Sequence, residues 1–171
     1  DPAIRSIGKG HKIADYILMD QNGQPFYSSS MSGKVWMADF FFTTCPSICK
    51  NMAVQKQVLQ EHFSDEPRFQ MVSHSVNPER DSVPVLAAYA ALNSVNYPQW
   101  KLLTGDKSEI YTLARKSFLV AREPTESIEH DFIHTENFVL IDQKGRIRGF
   151  YDGTSVESVQ QLILDAEWLL E

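Results

Sequence analysis

Residues 34–49 read Lys-Val-Trp-Met-Ala-Asp-Phe-Phe-Phe-Thr-Thr-Cys-Pro-Ser-Ile-Cys, and this stretch decides the fold. Its first nine residues are almost continuously apolar, which is typical of a strand buried on both faces of a sheet. A helical pattern follows, in which apolar side chains recur at steps of four and seven residues: Ile48, Met52, Leu59 and Phe63. Gln55 interrupts that stripe, and Pro46 suits the first turn of a helix. The segment therefore predicts a buried strand that leads directly into a helix.

Strand and helix patterns alternate on both sides of this segment. Residues 15–27 read as two short strands joined at Asn22-Gly23, a pair that favours a type I′ hairpin turn. A strand is predicted at residues 68–76, and the following helix has Asp81 or Ser82 as its N-cap. The remaining predicted elements are a strand at 100–103, a helix at 106–116, a strand hairpin at 132–151 and a helix from 155 onward.

This order predicts an α/β protein with one sheet flanked by helices and an N-terminal β-hairpin. A buried strand that runs into a helix carrying two cysteines is the layout of the thioredoxin fold. We expect one thioredoxin-like domain at residues 13–171, preceded by a linker at residues 1–12. Six aromatic residues are expected in the core or half-buried in packing contacts: Phe40, Phe41, Phe42, Trp36, Trp100 and Trp168.

Composition excludes several classes of protein. The chain has 171 residues, 43% of them hydrophobic and 22% charged, which is typical of a globular domain. Its net charge of −6 argues against a nucleic-acid-binding protein, which needs a basic face. No apolar run approaches the roughly 18 to 20 residues of a membrane helix. Because the first residue is Asp1 and not Met, we expect a processed or truncated product.

Cys45 and Cys49 are the two cysteines of the chain, and their spacing points to chemistry. A disulfide between them would close too short a loop to add much stability. Residues four apart lie on one face of a helix, so the two sulfurs suit either a disulfide or a shared metal ion. The helix N-terminus also lowers the pKa of a nearby thiol. The alternative is a pair of buried, inert cysteines.

By general metal-site chemistry a histidine can supply the third ligand of such a site, although a single histidine is more often structural. His134 lies at the start of a predicted strand that, in a thioredoxin-like fold, passes close to the cysteine helix. His130, four residues earlier, is its rival. We expect a core or lining role for His74 and a solvated position for His62, while His11 has no evident partner.

Asp39 lies six residues before Cys45, inside the buried strand. Thioredoxins carry a buried aspartate at the same offset, where it assists proton transfer from the second cysteine. By that resemblance, Asp39 lies beneath Cys49 and relays its proton. The alternative is an aspartate that opens to solvent or pairs with a lysine.

Three motifs resemble the Sco (SenC) family, copper-binding proteins of cytochrome c oxidase assembly. They are Thr44-Cys-Pro-Ser-Ile-Cys49, Ser75-Val-Asn-Pro-Glu-Arg-Asp81 and Asp131-Phe-Ile-His-Thr135, in the family's order and spacing. The resemblance implies a thioredoxin-like fold, with Cys45, Cys49 and His134 at the copper-ligand positions. Two thiolates and an imidazole can hold both Cu(I) and Cu(II).

The resemblance also implies a biological setting and allows competing functions. It implies a membrane-anchored, periplasmic or otherwise extracytoplasmic metallochaperone that serves the copper-site subunit of cytochrome c oxidase or another copper carrier. A thiol–disulfide oxidoreductase and a copper or redox sensor remain as alternatives. A peroxiredoxin is rejected, because Phe42 and Ala38 stand where it needs threonine or serine and proline. Two positions depart from the family pattern: Lys50 replaces a frequent proline, and Asn77 replaces a usual aspartate.

Overall fold

The computed structural model describes residues 11–44, 48–120 and 135–171, without the side chains of Ile48 and Cys49. Within these ranges the chain forms seven strands and four α-helices. The strands are β1 (Ile17–Met19), β2 (Pro25–Tyr27), β3 (Val35–Phe41), β4 (Phe69–Ser75), β5 (Trp100–Leu103), β6 (Asn137–Ile141) and β7 (Ile147–Asp152). The helices are α1 (Ile48–His62), α2 (Val83–Leu92), α3 (Lys107–Thr112) and α4 (Val156–Leu170). A π-helical turn, Leu113–Ser117, continues α3.

Five strands form the central sheet in the order β5-β4-β3-β6-β7. Strands β3, β4 and β5 are parallel, whereas β6 runs antiparallel to β3, and β7 runs antiparallel to β6. Parallel neighbours require crossover connections, and here helices α1 and α2 supply them. The arrangement confirms the predicted α/β, thioredoxin-like sheet with β3 at its centre.

Strand β3 is buried along its whole length and divides the core into two layers. Because side chains alternate across a strand, Met37 and Phe41 join one apolar cluster while Trp36 and Phe40 join the other. The first cluster is covered by α1, α2 and α4, and the second by α3 and the N-terminal hairpin. The predicted core roles of Phe40, Phe41, Phe42, Trp36 and Trp100 are therefore confirmed. The prediction for Trp168 was wrong, because its side chain is 65% exposed on α4 and stacks with Arg148.

The N-terminal hairpin is confirmed, but its turn is not the predicted type. A type I′ turn needs positive φ at both central residues. Gly23 has φ +76°, whereas among the described residues positive φ outside glycine occurs at Ser94 and Leu119 and not at Asn22. The backbone N–H groups of Asn22 and Gln24 instead donate to the Asp20 carboxylate, which holds a three-residue loop. The Asp20 side chain, just before the loop, therefore stabilises a turn different from the type I′ turn that Asn22-Gly23 favours.

Residues 11 and 12 already pack on the domain. The Ile147 N–H donates to the carbonyl of His11 at 3.0 Å, and Lys12 forms a β-bridge with Arg146. His11 Nε2 lies 2.9 Å from the carbonyl of Ser117. His11 and Lys12 therefore pair with residues 146 and 147, at the start of β7.

Candidate metal centre

The carboxyl end of β3 leads into the cysteine helix, as the sequence predicts. Strand β3 ends at Phe41, and α1 begins at Ile48. Cys49 is therefore in the first turn of α1. Cys45 lies outside the described residues, as does the side chain of Cys49.

The strand that follows the predicted histidine ligand starts at the same edge of the sheet. Strand β6 is antiparallel to β3, with Ala38 opposite Val139 and Trp36 opposite Ile141. The amino end of β6 consequently lies beside the carboxyl end of β3. Thr135 is the first described residue of this segment, so His134 and its rival His130 lie outside the described part. The ligand set of Cys45, Cys49 and His134 therefore stays a prediction.

Asp39 is fully buried in the layer beneath α1. Lys56 Nζ donates to its Oδ2 at 2.8 Å, and the Ser73 hydroxyl donates to Oδ1. The Ser73 oxygen in turn accepts a hydrogen bond from Trp100 Nε1 at 3.0 Å. Of the predicted alternatives, the position open to solvent was wrong, and both burial and pairing with a lysine are observed.

Lys56 is a buried charge that the sequence pattern did not reveal. Its side chain is 2% exposed and lies over the ring of Phe41, with Nζ 4.7 Å from the centroid. In the helix it comes four residues after Met52 and three before Leu59, so it lies on the buried face. A lysine inside an apolar stripe, facing a strand that contains an aspartate, is the signal that could have found this pair.

His74 is buried on the opposite face of the sheet, as expected for a core role. Its Nδ1 lies 3.0 Å from the carbonyl of Asp39, which only accepts, so Nδ1 carries the proton and donates. Its Nε2 then accepts from the Tyr16 hydroxyl at 2.7 Å. Burial lowers the pKa of His74 to about 4, against the opposing effects of the Asp39 carbonyl and charge. A neutral ring with both nitrogens occupied is not a metal ligand.

Asp81 contacts the loop that leads to Cys45, a role the sequence did not reveal. The sequence offered Asp81 or Ser82 as the cap of α2; Ser82 occupies the N-cap position, without a side-chain hydrogen bond. The Asp81 carboxylate instead accepts hydrogen bonds from Thr43 and Ser75. It therefore joins the ends of β3 and β4.

Other metal-binding chemistry is lacking in the described ranges. No group of three or more His, Cys, Asp or Glu side chains among them could hold a metal ion. His62 lies on the surface, as predicted, and its Nε2 contacts Glu167 Oε1 at 2.5 Å. Within the same ranges, none of the helices is both long and apolar enough to cross a membrane.

Comparison with known proteins assigns the chain to a family. The family model for SCO1/SenC matches residues 5–171. The structure resembles that of a SCO1/SenC family lipoprotein from Bacillus anthracis str. Ames, with a TM-score of 0.84 and 30% identity over 97% of this chain and 99% of that one.

Two further solved structures are similar. One is BsSco, a member of the Sco family of cytochrome c oxidase assembly proteins in which a disulfide switch was identified (TM-score 0.79, 28% identity, 95% of each chain). The other is Bradyrhizobium japonicum ScoI with copper bound (TM-score 0.69, 26% identity, 92% of this chain and 99% of that one). The matched fold, the matched length and the cysteine pair at the β3–α1 junction lead to one conclusion: this chain belongs to the SCO1/SenC family.

Proposed function

We propose that this protein is a copper metallochaperone that delivers copper to, or prepares, the copper site of cytochrome c oxidase. Cys45, Cys49 and His134 are the proposed ligands. The observation that carries the proposal is the SCO1/SenC match across residues 5–171. It is supported by the similarity of this chain to the copper-bound ScoI of Bradyrhizobium japonicum. Copper is the cargo of this site, which must both bind the ion and release it.

The chemistry of the donor set fits copper. Cu(I) prefers soft thiolates, and Cu(II) accepts imidazole and thiolate together. The position of Cys49 in the first turn of α1 favours its thiolate form. Three ligands leave room for a ligand of a partner protein to attack the ion, which is what a handover requires.

The proposed partner is the copper-site subunit of cytochrome c oxidase or another copper carrier. BsSco belongs to an assembly family for that oxidase, and the Bacillus anthracis relative is a lipoprotein. These relatives support a periplasmic or otherwise extracytoplasmic location and a membrane tether upstream of residue 1. The net charge of −6 gives no support to a nucleic-acid partner.

Copper loading tests the proposal. Cu(I) and Cu(II) are added separately to the reduced protein, and bound copper and the sulfur-to-Cu(II) charge-transfer absorption are measured. We expect about one copper per chain, with the absorption lost in Cys45→Ser and Cys49→Ser and altered in His134→Ala. His130→Ala is the matched control and should bind as the wild type does. Wild-type reduced protein that retains no copper would refute the proposal.

A thiol–disulfide oxidoreductase is the second candidate, and the buried Asp39 favours it. In that reaction the two thiols of Cys45 and Cys49 give two electrons and two protons to a partner disulfide and become a disulfide themselves. Lys56 Nζ donates to Asp39 Oδ2 at 2.8 Å, and a carboxylate is the form of this side chain that can accept a proton. We propose Asp39 as the relay for the Cys49 proton in that case.

The two candidates differ in what His134 does. Reduction of a model disulfide by the reduced protein should survive His134→Ala if the protein is a reductase, whereas copper retention should fall. Asp39→Asn should slow the reduction, and Asp142→Asn, in the turn between β6 and β7, is its control. A wild-type protein that does not reduce the disulfide excludes this candidate.

A further inference from the structure

The carboxylate of Asp81 is a buried anion held by neutral donors. Its side chain is 0% exposed. Oδ2 accepts from the Ser75 hydroxyl at 2.7 Å and from the Thr43 N–H at 3.1 Å, and Oδ1 accepts from the Thr43 hydroxyl at 2.5 Å. Three donors aimed at one carboxylate compensate for its removal from water. The contact is therefore specific, and it joins the end of β3 to the turn after β4, 38 residues later in the chain.

The turn that carries Asp81 is itself held in place. The Asp81 N–H donates to the Asn77 carbonyl at 2.8 Å, and the Asn77 N–H donates to the Ser75 hydroxyl at 3.1 Å. Val76 then continues the parallel pairing, because its N–H donates to the Phe41 carbonyl at 2.8 Å. The carboxylate is thus presented from a closed turn at the end of β4.

Thr43, two residues before Cys45, is tied to the turn that carries Asp81. Both its backbone N–H and its hydroxyl are bound by Asp81, so the position and direction of the chain are fixed there. Two residues span at most about 7 Å, which limits how far the Cys45 backbone can lie from this anchor. The Asp81–Thr43 contact therefore lies close along the chain to the first cysteine.

We propose that Asp81 is a positioning residue for the cysteine loop, and that it sets the placement of Cys45 relative to Cys49 through Thr43. The inference rests on the proposed function, because copper binding is the first probe of that placement. Asp81 does not touch the metal or the sulfurs in this account. It acts by fixing the loop before the metal or a disulfide forms.

Four variants test the inference. Asp81→Asn places an amide donor among the donors from Thr43 and Ser75, and Thr43→Val removes one hydroxyl at nearly constant shape. Thr43→Ser keeps both hydrogen bonds and should rescue the wild-type behaviour. The matched control is Asp142→Asn, which alters a carboxylate that is also nearly buried and organises the β6–β7 turn by accepting from two backbone N–H groups.

Cu(I) affinity, measured by competition with a chromophoric chelator, is the first readout. Asp81→Asn should raise the Cu(I) dissociation constant about tenfold and shift the sulfur-to-Cu(II) absorption, as loss of groups that orient ligands does elsewhere. Thr43→Val should change the dissociation constant and the absorption in the same direction. A protein that carries both Asp81→Asn and Thr43→Val should bind Cu(I) no more weakly than Asp81→Asn alone. Asp142→Asn and Thr43→Ser should match the wild type. A folded Asp81→Asn protein with wild-type affinity and absorption would overturn the inference.

A second readout separates this inference from the copper proposal. The reduction potential of the Cys45–Cys49 disulfide, measured against a glutathione buffer, depends on how the two sulfurs are placed. If the wild type binds no copper, the proposed function fails, yet a potential shifted by Asp81→Asn and not by Asp142→Asn would still support the inference. Equal potentials in the three proteins would overturn it.

Discussion

The two faces of the β3–β4 pair bury polar groups of different kinds. Beneath α1, Asp39 and Lys56 form an ion pair at 2.8 Å with side-chain exposures of 0% and 2%. On the other face, His74 and Tyr16 form a neutral hydrogen bond at 2.7 Å. In the parallel register, Asp39 is opposite Ser73 and Phe40 is opposite His74. The charged and the neutral groups therefore lie on consecutive residue pairs of the same two strands, on opposite faces.

The difference shows how a buried group is satisfied according to its charge. A carboxylate in an apolar layer needs an opposite charge as well as hydrogen bonds, since its desolvation is costly. An imidazole can remain neutral by burial alone, and its two nitrogens then need one acceptor and one donor. The charged face lies beneath α1, and Lys56 on that helix supplies the countercharge.

The largest expected effect comes from breaking the charged pair. Lys56→Met leaves Asp39 buried without its countercharge, so we expect a loss of about 3 to 5 kcal/mol in the free energy of unfolding. Asp39→Leu combined with Lys56→Met removes both charges and should cost less than the single change. Denaturant unfolding measures both. A single variant that loses less than about 1 kcal/mol would show that the pair is not buried as described.

The buried histidine on the neutral face should make the stability of the fold depend on pH. The pKa of His74 is lowered from 6.5 to about 4 by burial, so below its ordinary pKa the unfolded chain binds a proton that the folded chain does not. Stability is therefore lost as the pH falls from the unfolded pKa to the folded pKa. We expect the wild type to lose about 2 kcal/mol more than His74→Phe between about pH 7 and about pH 4.5. Parallel stability curves would contradict the assignment.

A smaller effect is expected from Tyr16→Phe. The change leaves Nε2 of His74 as a buried acceptor without a donor, which costs about 1 to 3 kcal/mol. Tyr27→Phe is the matched control, because the Tyr27 side chain is 49% exposed on the hairpin, and it should stay within about 0.5 kcal/mol of the wild type. Equal unfolding free energies for the two variants would contradict a stabilising hydrogen bond between Tyr16 and His74.

The smallest effect is expected on the surface, where a histidine also meets an acid. His62 and Glu167 are 42% and 47% exposed, so water screens their contact. Glu167→Gln should change the free energy of unfolding by about 0.5 kcal/mol or less. If Glu167→Gln lost as much free energy of unfolding as Lys56→Met, burial would not explain the difference between the exposed pair and the buried pair.

Local pattern was sufficient for the fold but not for these pairs. The apolar run at 34–42 and the following helical stripe predicted β3 and α1 correctly, because burial of a central strand imposes a pattern on consecutive residues. The stripe was interrupted at Gln55, which is 9% exposed, and Lys56 beside it is more deeply buried still. A helical period does not say which polar residue meets a charge from a neighbouring strand.

The other contacts depend on long separations in the chain. Tyr16 and His74 are 58 residues apart, and Thr43 and Asp81 are 38 apart. Asp81 was expected as a helix cap because caps can be recognised from neighbouring residues. Its contact with Thr43 exists only once β3 and β4 are paired, so no local pattern announces it. For the candidate metal centre, the sequence supplied the residues and the sheet supplied the common edge.

X-ray absorption at the copper edge tests the central claim most directly. The protein is loaded with one equivalent of Cu(I), and the ligand atoms around the ion are counted in the wild type and in His134→Ala. We predict two sulfur ligands and one nitrogen ligand in the wild type, and the same two sulfurs without that nitrogen in the variant. A copper ion without sulfur ligands, or a ligand set unchanged by His134→Ala, would contradict a site built from Cys45, Cys49 and His134.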